Sequence, residues 1–189
     1  MTKISLLGGS FDPIQNAHIK IIKYLFEKKI SDEVWVMPCG NHVFKGELSN
    51  AEHRKKMIEL AIQGLDHVKL CNIELKSKEK SYSFETLKKL KKQFPNNEFY
   101  LVIGTDILQE IDKWHKYKEL LQESSFIIFE RKGYRYTPFP GMKVVHFIQE
   151  NPDNISSTEI RARARKHQSI SNFVPKQVET YINKNGLYT

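Results

Sequence analysis

The chain has 189 residues, 40% of them hydrophobic, which suits one domain with a complete core and leaves too little chain for a second full domain. Lysine and arginine number 30 against 22 aspartate and glutamate residues, so the formal charge of +8 favours anionic partners such as nucleotides, nucleic acid or an acidic surface. No stretch reaches the roughly 20 apolar residues of a membrane span, and Met1 leads into a strand pattern instead of a signal sequence, so we expect no membrane partner and a cytoplasmic location.

Short apolar runs alternate with amphipathic segments along the whole chain, and no long linker rich in Gly, Ser or Pro separates them. The predicted strands cover residues 3–7, 33–37, 68–71, 99–103, 126–130 and 143–147. The predicted helices cover residues 18–29, 51–65, 84–94, 117–123, 157–167 and 175–183. This alternation predicts a single α/β domain over residues 1–189 of the Rossmann-like, doubly wound type. Such a domain has a mainly parallel sheet, helices on both faces, and ligands at the carboxyl ends of the strands.

The first predicted strand runs into two glycines within the stretch ISLLGGSFDPIQNAH, residues 4–18. Gly8 and Gly9 tolerate unusual backbone angles and let a ligand approach the main chain closely. The stretch is not a Walker loop, because no Gly-Lys-Ser or Gly-Lys-Thr follows, and it lacks the three-glycine dinucleotide fingerprint. It therefore predicts a close backbone contact with a ligand but does not identify that ligand.

The first helix is predicted to begin near Asn16, a good capping residue, because Asp12 precedes a proline and is expected to be extended. Helix N-termini attract phosphate through their free backbone amides and the positive end of the helix dipole. His18, in the first turn, would direct its imidazole at the same anion. The alternative is that His18 only caps the helix or packs against it.

Lysines are dense in the segment LKKLKKQF, residues 87–94, and this density invites a nucleic-acid interpretation. However, Leu87, Leu90 and Phe94 follow the i, i+3, i+7 stripe of a packed helix, which turns the lysines outward as a solvated face. No DNA-binding or RNA-binding module is recognisable elsewhere in the sequence. We therefore expect no nucleic-acid partner.

A second stretch suited to anions is NISSTEIRARARKH, residues 154–167. Ser156 and Glu159 have the spacing of a capping box, and Ser157 and Thr158 add hydroxyl groups at the start of the helix. Arg161 follows one turn into the helix, where its guanidinium suits a phosphate. A well-capped surface helix would explain the capping pair but not the cluster of arginines behind it.

These stretches together resemble the nucleotidyltransferase superfamily. GGSFDPIQNAH resembles its first motif, GSFDP followed by an element with His or Thr, any residue, Gly and His, and ISSTEIR resembles its second motif, ISSTxIR. IGTDILQEIDKW resembles the IGxD segment and following tryptophan of bacterial-type nicotinate mononucleotide adenylyltransferases. KSYSFETL resembles their segment facing the pyridine nucleotide, and VPKQVETYINKNGLY resembles their C-terminal end. The resemblance spans nearly the whole chain, in order.

The resemblance implies transfer of the adenylyl group of ATP to the 5′-phosphate of nicotinate mononucleotide, giving deamido-NAD and pyrophosphate in NAD biosynthesis. Nicotinamide mononucleotide is the alternative acceptor. Mg²⁺ would enter with ATP, held mainly by phosphate oxygens and water, and no protein metal site is expected. The two cysteines, Cys39 and Cys71, also lack the spacing of a metal site and are expected to be ordinary, partly buried thiols. A homodimer is left open.

The matched motifs imply a set of site residues. His18, Lys45 and Arg161 are the implied catalytic residues, with His18 at the α-phosphate and Arg161 at the β- and γ-phosphates. The implied ATP-binding residues are Gly8, Gly9, Ser10, Phe11, Gln15, His18, Gly104, Asp106, Ile155, Ser156, Ser157, Thr158 and Arg161. The C-terminal helical part, about residues 155–189, is thereby expected to complete the ATP site. The implied pyridine mononucleotide residues are Lys45, Tyr82, Ser83, Thr86 and Trp114.

Three of these residues have plain structural alternatives. Lys45 could be a loop lysine in water, Trp114 a core tryptophan, and Asp106 the cap of the helix that follows it. From the residues alone, the core interpretation of Trp114 is as good as a pyridine-stacking role.

The chain departs from the motifs at two positions. Gln15 stands where the superfamily has His or Thr, and it keeps a neutral donor but adds no positive charge. Ala17 stands where Gly is common, which is favourable inside a helix. Three rival interpretations are a phosphopantetheine adenylyltransferase, a cytidylyltransferase, and a nucleotide-binding protein of this fold without catalysis.

Overall fold

The computed structural model describes residues 1–40, 48–77, 80–149 and 155–189. Within these residues one sheet of six strands is formed: β1 Thr2–Gly9, β2 Glu33–Pro38, β3 Val68–Leu70, β4 Asn97–Gly104, β5 Ser125–Phe129 and β6 Lys143–Ile148. Every neighbouring pair is parallel, in the order β3-β2-β1-β4-β5-β6. All six predicted strands are confirmed, with ends that differ by at most two residues.

The helices alternate with the strands, as predicted. They are α1 Asn16–Glu27, α2 Ala51–Ile62, α3 Ser83–Gln93, α4 Thr105–Leu108, α5 Tyr117–Glu123, α6 Ser157–Arg165 and α7 Lys176–Lys184. A 3₁₀ turn covers Ile111–Lys113. The sequence analysis missed α4 and this turn, because segments of one turn are too short to show a helical period. None of the helices in the described ranges is long and apolar enough to cross a membrane.

Two hydrophobic clusters, one on each face of the sheet, form the core. Alternate residues of β1 show the division, since Leu7 belongs to the cluster covered by α1, α2, α6 and α7, whereas Leu6 belongs to the cluster covered by α3 and α5. Strands buried on both faces read as continuous apolar runs, which is why their existence was predictable. The predicted doubly wound architecture is confirmed.

The chain reverses the direction of its winding between β1 and β4. From β1 it proceeds through β2 to β3 on one side, and then returns to build β4, β5 and β6 on the other. In such a sheet a crevice opens at the carboxyl ends of the two central strands, and ligands bind there. Gly9 ends β1 and Gly104 ends β4, so both predicted glycine sites lie at this crevice.

Two predictions about side-chain environment need correction. Phe94, predicted to complete the buried stripe of α3, is 39% exposed because it lies at the C-cap of that helix, with its ring edge-on to Trp35. Leu87 and Leu90 are buried and the four lysines between and after them are exposed, as predicted. Cys39 and Cys71 are free thiols, and both are buried rather than only partly so.

Candidate active site

The turn between β1 and α1 is built on a buried phenylalanine. Phe11 is 1% exposed and adopts a positive φ of 48°. A Cβ atom on Gly9 would lie 3.2 Å from the Phe11 ring, tighter than ordinary contact, so the ring fits closely under the glycine backbone. The same ring meets the imidazole of His18 edge to face, with centroids 5.0 Å apart. The buried Phe11 ring therefore packs against both Gly9 and His18. Gly8, the residue before Gly9 in β1, is exposed.

The imidazole of His18 is fixed by a hydrogen bond to its own helix start. The backbone N–H of Gln15 donates to His18 Nδ1 at 3.0 Å. Because Nδ1 accepts, the neutral ring carries its proton on Nε2, which is left as a donor. Gln15, not Asn16, occupies the N-cap position, so the predicted cap was one residue late. The side chain of Asn16 donates instead to the carbonyl of Asn172 at 3.1 Å.

Gln15 joins the first motif to the second. Its Nε2 donates to Ser157 Oγ at 2.8 Å, across 142 residues of sequence. Ser157 Oγ in turn lies 3.5 Å from the carbonyl oxygen of Pro13, to which it donates a long bond. Gln15 is 2% exposed, and its Oε1 has no hydrogen-bond partner in the part of the chain that the structure describes. A buried acceptor of this kind is costly unless a donor reaches it.

The start of α6 is capped as the sequence predicts. Ser156 is the N-cap, and its Oγ accepts from the backbone N–H of Glu159 at 3.1 Å. Glu159 also pairs with Arg163 at 3.6 Å, and the Arg163 guanidinium stacks over the Phe173 ring at 5.1 Å. Arg163 is thus held by contacts within the fold, and it was not among the implied site residues.

Arg161 points back to the first motif. Its Nη1 donates to the backbone carbonyl of Asp12 at 2.8 Å, and its Nη2 lies 3.3 Å from Thr158 Oγ1. Neither partner is a carboxylate, so neither balances the positive charge of the guanidinium, and the group has further N–H donors for an anion. The structure therefore brings His18, Gln15, Ser157 and Arg161 into one cluster, held together through the turn at Asp12.

A second cluster lies at the end of β4. Asp106 Oδ2 accepts from Arg131 Nη1 at 2.9 Å, and the backbone N–H of Arg131 donates to Thr105 Oγ1 at 2.9 Å. A Cβ on Gly104 would crowd Asp106 Oδ1 and lie 3.0 Å from Arg131 Cδ, so a larger residue there would displace the side chains of this ion pair. Asp106 lies in the first turn of α4 and does not cap it, since Gly104 is the N-cap. The capping alternative was wrong.

The pyridine residues implied by the sequence are only partly brought together. A cavity of about 290 Å³ is lined by Tyr82 and Thr86 but, among the described residues, not by Ser83 or Trp114. Trp114 is partly buried and packs against the hydrophobic cluster on the α3 side, in agreement with its core interpretation. The Tyr82 ring instead lies against His115, with centroids 4.4 Å apart.

The hydroxyl of Thr86 is engaged inside the protein. It donates to Glu74 Oε1 at 2.9 Å, and both side chains are buried. Burial raises the pKa of the Glu74 carboxyl above its ordinary value, against the lowering effect of hydrogen bonds from Thr86 and from the backbone of Gly40. Thr86 therefore fixes one wall of the cavity through Glu74.

Several residues that shape these clusters were not predicted from the sequence to do so. Arg54 of α2 is buried and donates through Nη1 to the carbonyls of Ser10 and Cys39, at 3.0 Å and 2.9 Å, which ties the ends of β1 and β2 together. Arg131 and Glu74 were missed as well, because isolated charged residues give no periodic signal. Ile155 is buried in the core cluster. Lys45 lies outside the described residues.

Comparison with known proteins extends the similarity to the whole chain. Residues 6–163 match a family described as cytidylyltransferase-like. Nicotinate-nucleotide adenylyltransferase of Bacillus subtilis (strain 168) is 34% identical over 191 residues, covering 100% of this chain and 99% of that protein. A probable nicotinate-nucleotide adenylyltransferase of Streptococcus mutans is 38% identical, covering 98% of this chain and 88% of that protein. Plasmodium falciparum nicotinic acid mononucleotide adenylyltransferase, solved in complex with NaAD, matches with a TM-score of 0.83 at 28% identity, covering 100% and 98% of the two chains.

Proposed function

The chain belongs to the cytidylyltransferase-like family, and from that premise we propose that it is a nicotinate-nucleotide adenylyltransferase. It transfers the adenylyl group of ATP to the 5′-phosphate of nicotinate mononucleotide and releases pyrophosphate, and its product is deamido-NAD, in NAD biosynthesis. Nicotinate is chosen over nicotinamide because the relatives similar along the full length carry nicotinate in their names.

One observation in the fold carries the proposal. The N-termini of α1 and α6, each suited to bind phosphate, are joined at the carboxyl end of β1 by the bond from Gln15 Nε2 to Ser157 Oγ. A triphosphate needs several donors at once, and two helix starts with a histidine and an arginine supply them. A single nucleoside monophosphate would not require both.

The reaction is an in-line displacement at phosphorus. An oxygen of the acceptor 5′-phosphate forms a new bond to the α-phosphorus of ATP, and the bond from that phosphorus to the α–β bridging oxygen breaks. Pyrophosphate leaves with the electron pair, and the nucleophile needs no proton removed because it is already ionised. Catalysis therefore rests on alignment and on neutralising charge.

His18 is proposed to stabilise the α-phosphate. Its Nε2–H is the donor of the neutral ring, because Nδ1 accepts from the backbone of Gln15. A neutral donor held rigidly in the first turn of α1 adds to the helix dipole and backbone amides aimed at the same oxygens. Its contribution grows as negative charge develops there.

Arg161 is proposed to hold the β- and γ-phosphates, with Ser156, Ser157 and Thr158 at the start of α6. The guanidinium neutralises the pyrophosphate as it departs. The Ser156 hydroxyl accepts from the backbone N–H of Glu159, so its contribution is to fix the start of α6, and the other amides of the first turn are proposed to face the phosphates. Lys45, which stands after β2 in the sequence, is proposed as a further phosphate contact.

Mg²⁺ is proposed to enter with ATP. In the ranges that the structure describes, no group of three or more His, Cys, Asp or Glu side chains could hold a metal ion. The buried Gln15 Oε1 is an acceptor without a partner, and a water on a Mg²⁺ ion is a donor that fits it. When bound, the ion neutralises charge on the phosphate oxygens. Gln15 Oε1 would accept a hydrogen bond from such a water if the ion binds beside it.

The adenosine part is proposed to lie over the ends of β1 and β4. Gly8 and Gly9 offer backbone without side chains, and Gly104 with Asp106 lines the other side of the crevice. Ser10, Phe11 and Ile155 are buried and support this surface from within. The pyridine mononucleotide is proposed to bind near Tyr82, Ser83, Thr86, Lys45 and Trp114.

The test is pyrophosphate release by the purified protein with Mg-ATP and one acceptor at a time. Nicotinate mononucleotide, nicotinamide mononucleotide, phosphopantetheine and no acceptor form the four arms. We expect release with the pyridine mononucleotides, faster with nicotinate. Release of pyrophosphate only with phosphopantetheine, or no release with any acceptor, would overturn the proposal.

A further inference from the structure

Tyr188 reaches the turn of the first motif from the far end of the sequence. Its hydroxyl donates to Asp12 Oδ1 at 2.6 Å, across 176 residues. Asp12 is 1% exposed and lies between β1 and α1; its own carbonyl accepts from Arg161, and the carbonyl of the adjacent Pro13 accepts from Ser157. Burial, with the bond to Asp12, raises the pKa of the Tyr188 phenol, so the hydroxyl stays a donor across the working range of pH.

The second oxygen of the Asp12 carboxylate is also satisfied by an uncharged group. Asp12 Oδ2 accepts from the backbone N–H of Ser49 at 3.0 Å. The carboxylate is thus held by one hydroxyl and one amide, and no cation pairs with it in the described part of the chain. Charged carboxylates buried in this way depend on each of their donors.

Arg161 touches the same aspartate at a different atom. Its Nη1 bonds to the backbone carbonyl of Asp12, not to the carboxylate. The Arg161 guanidinium and the Tyr188 hydroxyl thus both contact Asp12, one at its carbonyl and the other at its carboxylate. A carboxylate released from Tyr188 would therefore have a guanidinium beside it, and a carboxylate paired with arginine is one of the strongest contacts in proteins.

We propose that Tyr188 is a positioning residue of the ATP site: by holding the carboxylate of Asp12, it keeps the guanidinium of Arg161 available for the triphosphate. The inference rests on the proposed function, because it takes Arg161 as a phosphate ligand. It predicts that loss of the Tyr188 hydroxyl weakens the binding of ATP and leaves the binding of the pyridine mononucleotide unchanged.

The test compares two tyrosines of the same C-terminal segment. Tyr188→Phe removes the hydroxyl on Asp12, and Tyr181→Phe removes a hydroxyl that lies 2.8 Å from His53 Nδ1 in α2, outside the proposed site. For each variant we would measure the dissociation constant of a non-hydrolysable ATP analogue by calorimetry, and the KM values for both substrates. Tyr188→Phe should weaken analogue binding and raise KM for ATP about ten-fold, with KM for nicotinate mononucleotide within two-fold. Tyr181→Phe should leave all three within two-fold.

A second variant tests the reason for the loss. Asp12→Asn in the Tyr188→Phe background removes the charge that would capture Arg161, so affinity for the analogue should return to within about three-fold of the wild-type value. Unchanged affinity in Tyr188→Phe, an equal loss in Tyr181→Phe, or a double variant no better than Tyr188→Phe would each overturn the inference. Analogue binding needs no acceptor, so a protein that binds the analogue but releases no pyrophosphate refutes the proposed function alone.

Discussion

Exchanging His18 for asparagine would separate two tasks of its imidazole. In the structure Nδ1 accepts from the backbone of Gln15 at 3.0 Å, and Nε2–H is the donor proposed for the α-phosphate. The Oδ1 atom of asparagine can occupy about the place of Nδ1 and accept the same hydrogen bond. The asparagine side chain is too short to place a donor where Nε2–H stands. Glutamine has the opposite geometry, since its amide nitrogen reaches about as far as Nε2. The two substitutions therefore remove one function each.

The magnitudes follow from what each variant loses. His18→Asn forfeits a donor used in the transition state, which costs about 100-fold or more in kcat, or about 2.7 kcal/mol. It keeps the bond to the helix start, so thermal stability should stay near that of the wild type. His18→Ala should lose the same rate and also about 1 kcal/mol of stability from the unsatisfied N–H of Gln15, which lowers Tm by about 2–4 °C.

The assay pairs pyrophosphate release at saturating Mg-ATP and nicotinate mononucleotide with thermal unfolding of the same samples. His18→Gln should retain more turnover than His18→Asn and be less stable. Full turnover in His18→Asn would refute the role of Nε2–H. A Tm for His18→Asn as low as that of His18→Ala would refute the capping geometry.

Three further substitutions test separate parts of the site. Gln15→His should keep or raise turnover, since histidine can add positive charge; a collapse of the rate would mean that Gln15 serves a different substrate. Gly104→Ala places a Cβ against Asp106 Oδ1, so the carboxylate must shift, and the variant should raise KM for ATP and cost about 1 kcal/mol in urea unfolding; an unchanged KM would remove Asp106 from the nucleotide site. The raised pKa of Glu74 makes its ionised form costly above that pKa, and the cost vanishes below the ordinary value of 4.5. The free energy of unfolding of the wild type, relative to Glu74→Gln, should therefore rise as pH falls from about 7 to about 4; a difference independent of pH would contradict the assignment.

Elements with a long apolar signal were predictable from the sequence, and short ones were not. β1 and β4, buried on both faces, were found because most residues near their centres are apolar, with Ser5 the polar exception in β1. α4 has only four residues, and its position is set by the end of β4 and by the ion pair from Asp106 to Arg131. Tertiary contacts of this kind leave no periodic trace in the sequence.

In the site as well, contacts between sequence neighbours were predictable and contacts between distant residues were not. The cap at Ser156 was predictable, because the residues involved are three apart in sequence. The bond from Gln15 to Ser157 spans 142 residues and that from Tyr188 to Asp12 spans 176, so only the folded chain shows them. For Trp114, the fold shows that its side chain packs against the hydrophobic cluster on the α3 side, and the ligand contact suggested by its motif stays a prediction.

The bonds between α1 and α6 also decide how a bound nucleotide acts on the whole molecule. Gln15 and Ser157, or Asp12 and Arg161, meet only after every strand between them has found its place in the sheet. A ligand that bridges them, as proposed for ATP, is therefore lost by any unfolding event that separates the two halves of the sheet. Each ten-fold excess of ATP over its dissociation constant then adds about 1.4 kcal/mol to the free energy of global unfolding. Amide hydrogens deep in β2 and β5, far from any phosphate, should then exchange more slowly when the nucleotide is bound. They exchange only when the whole domain unfolds, and the bound substrate raises the free energy of that unfolding.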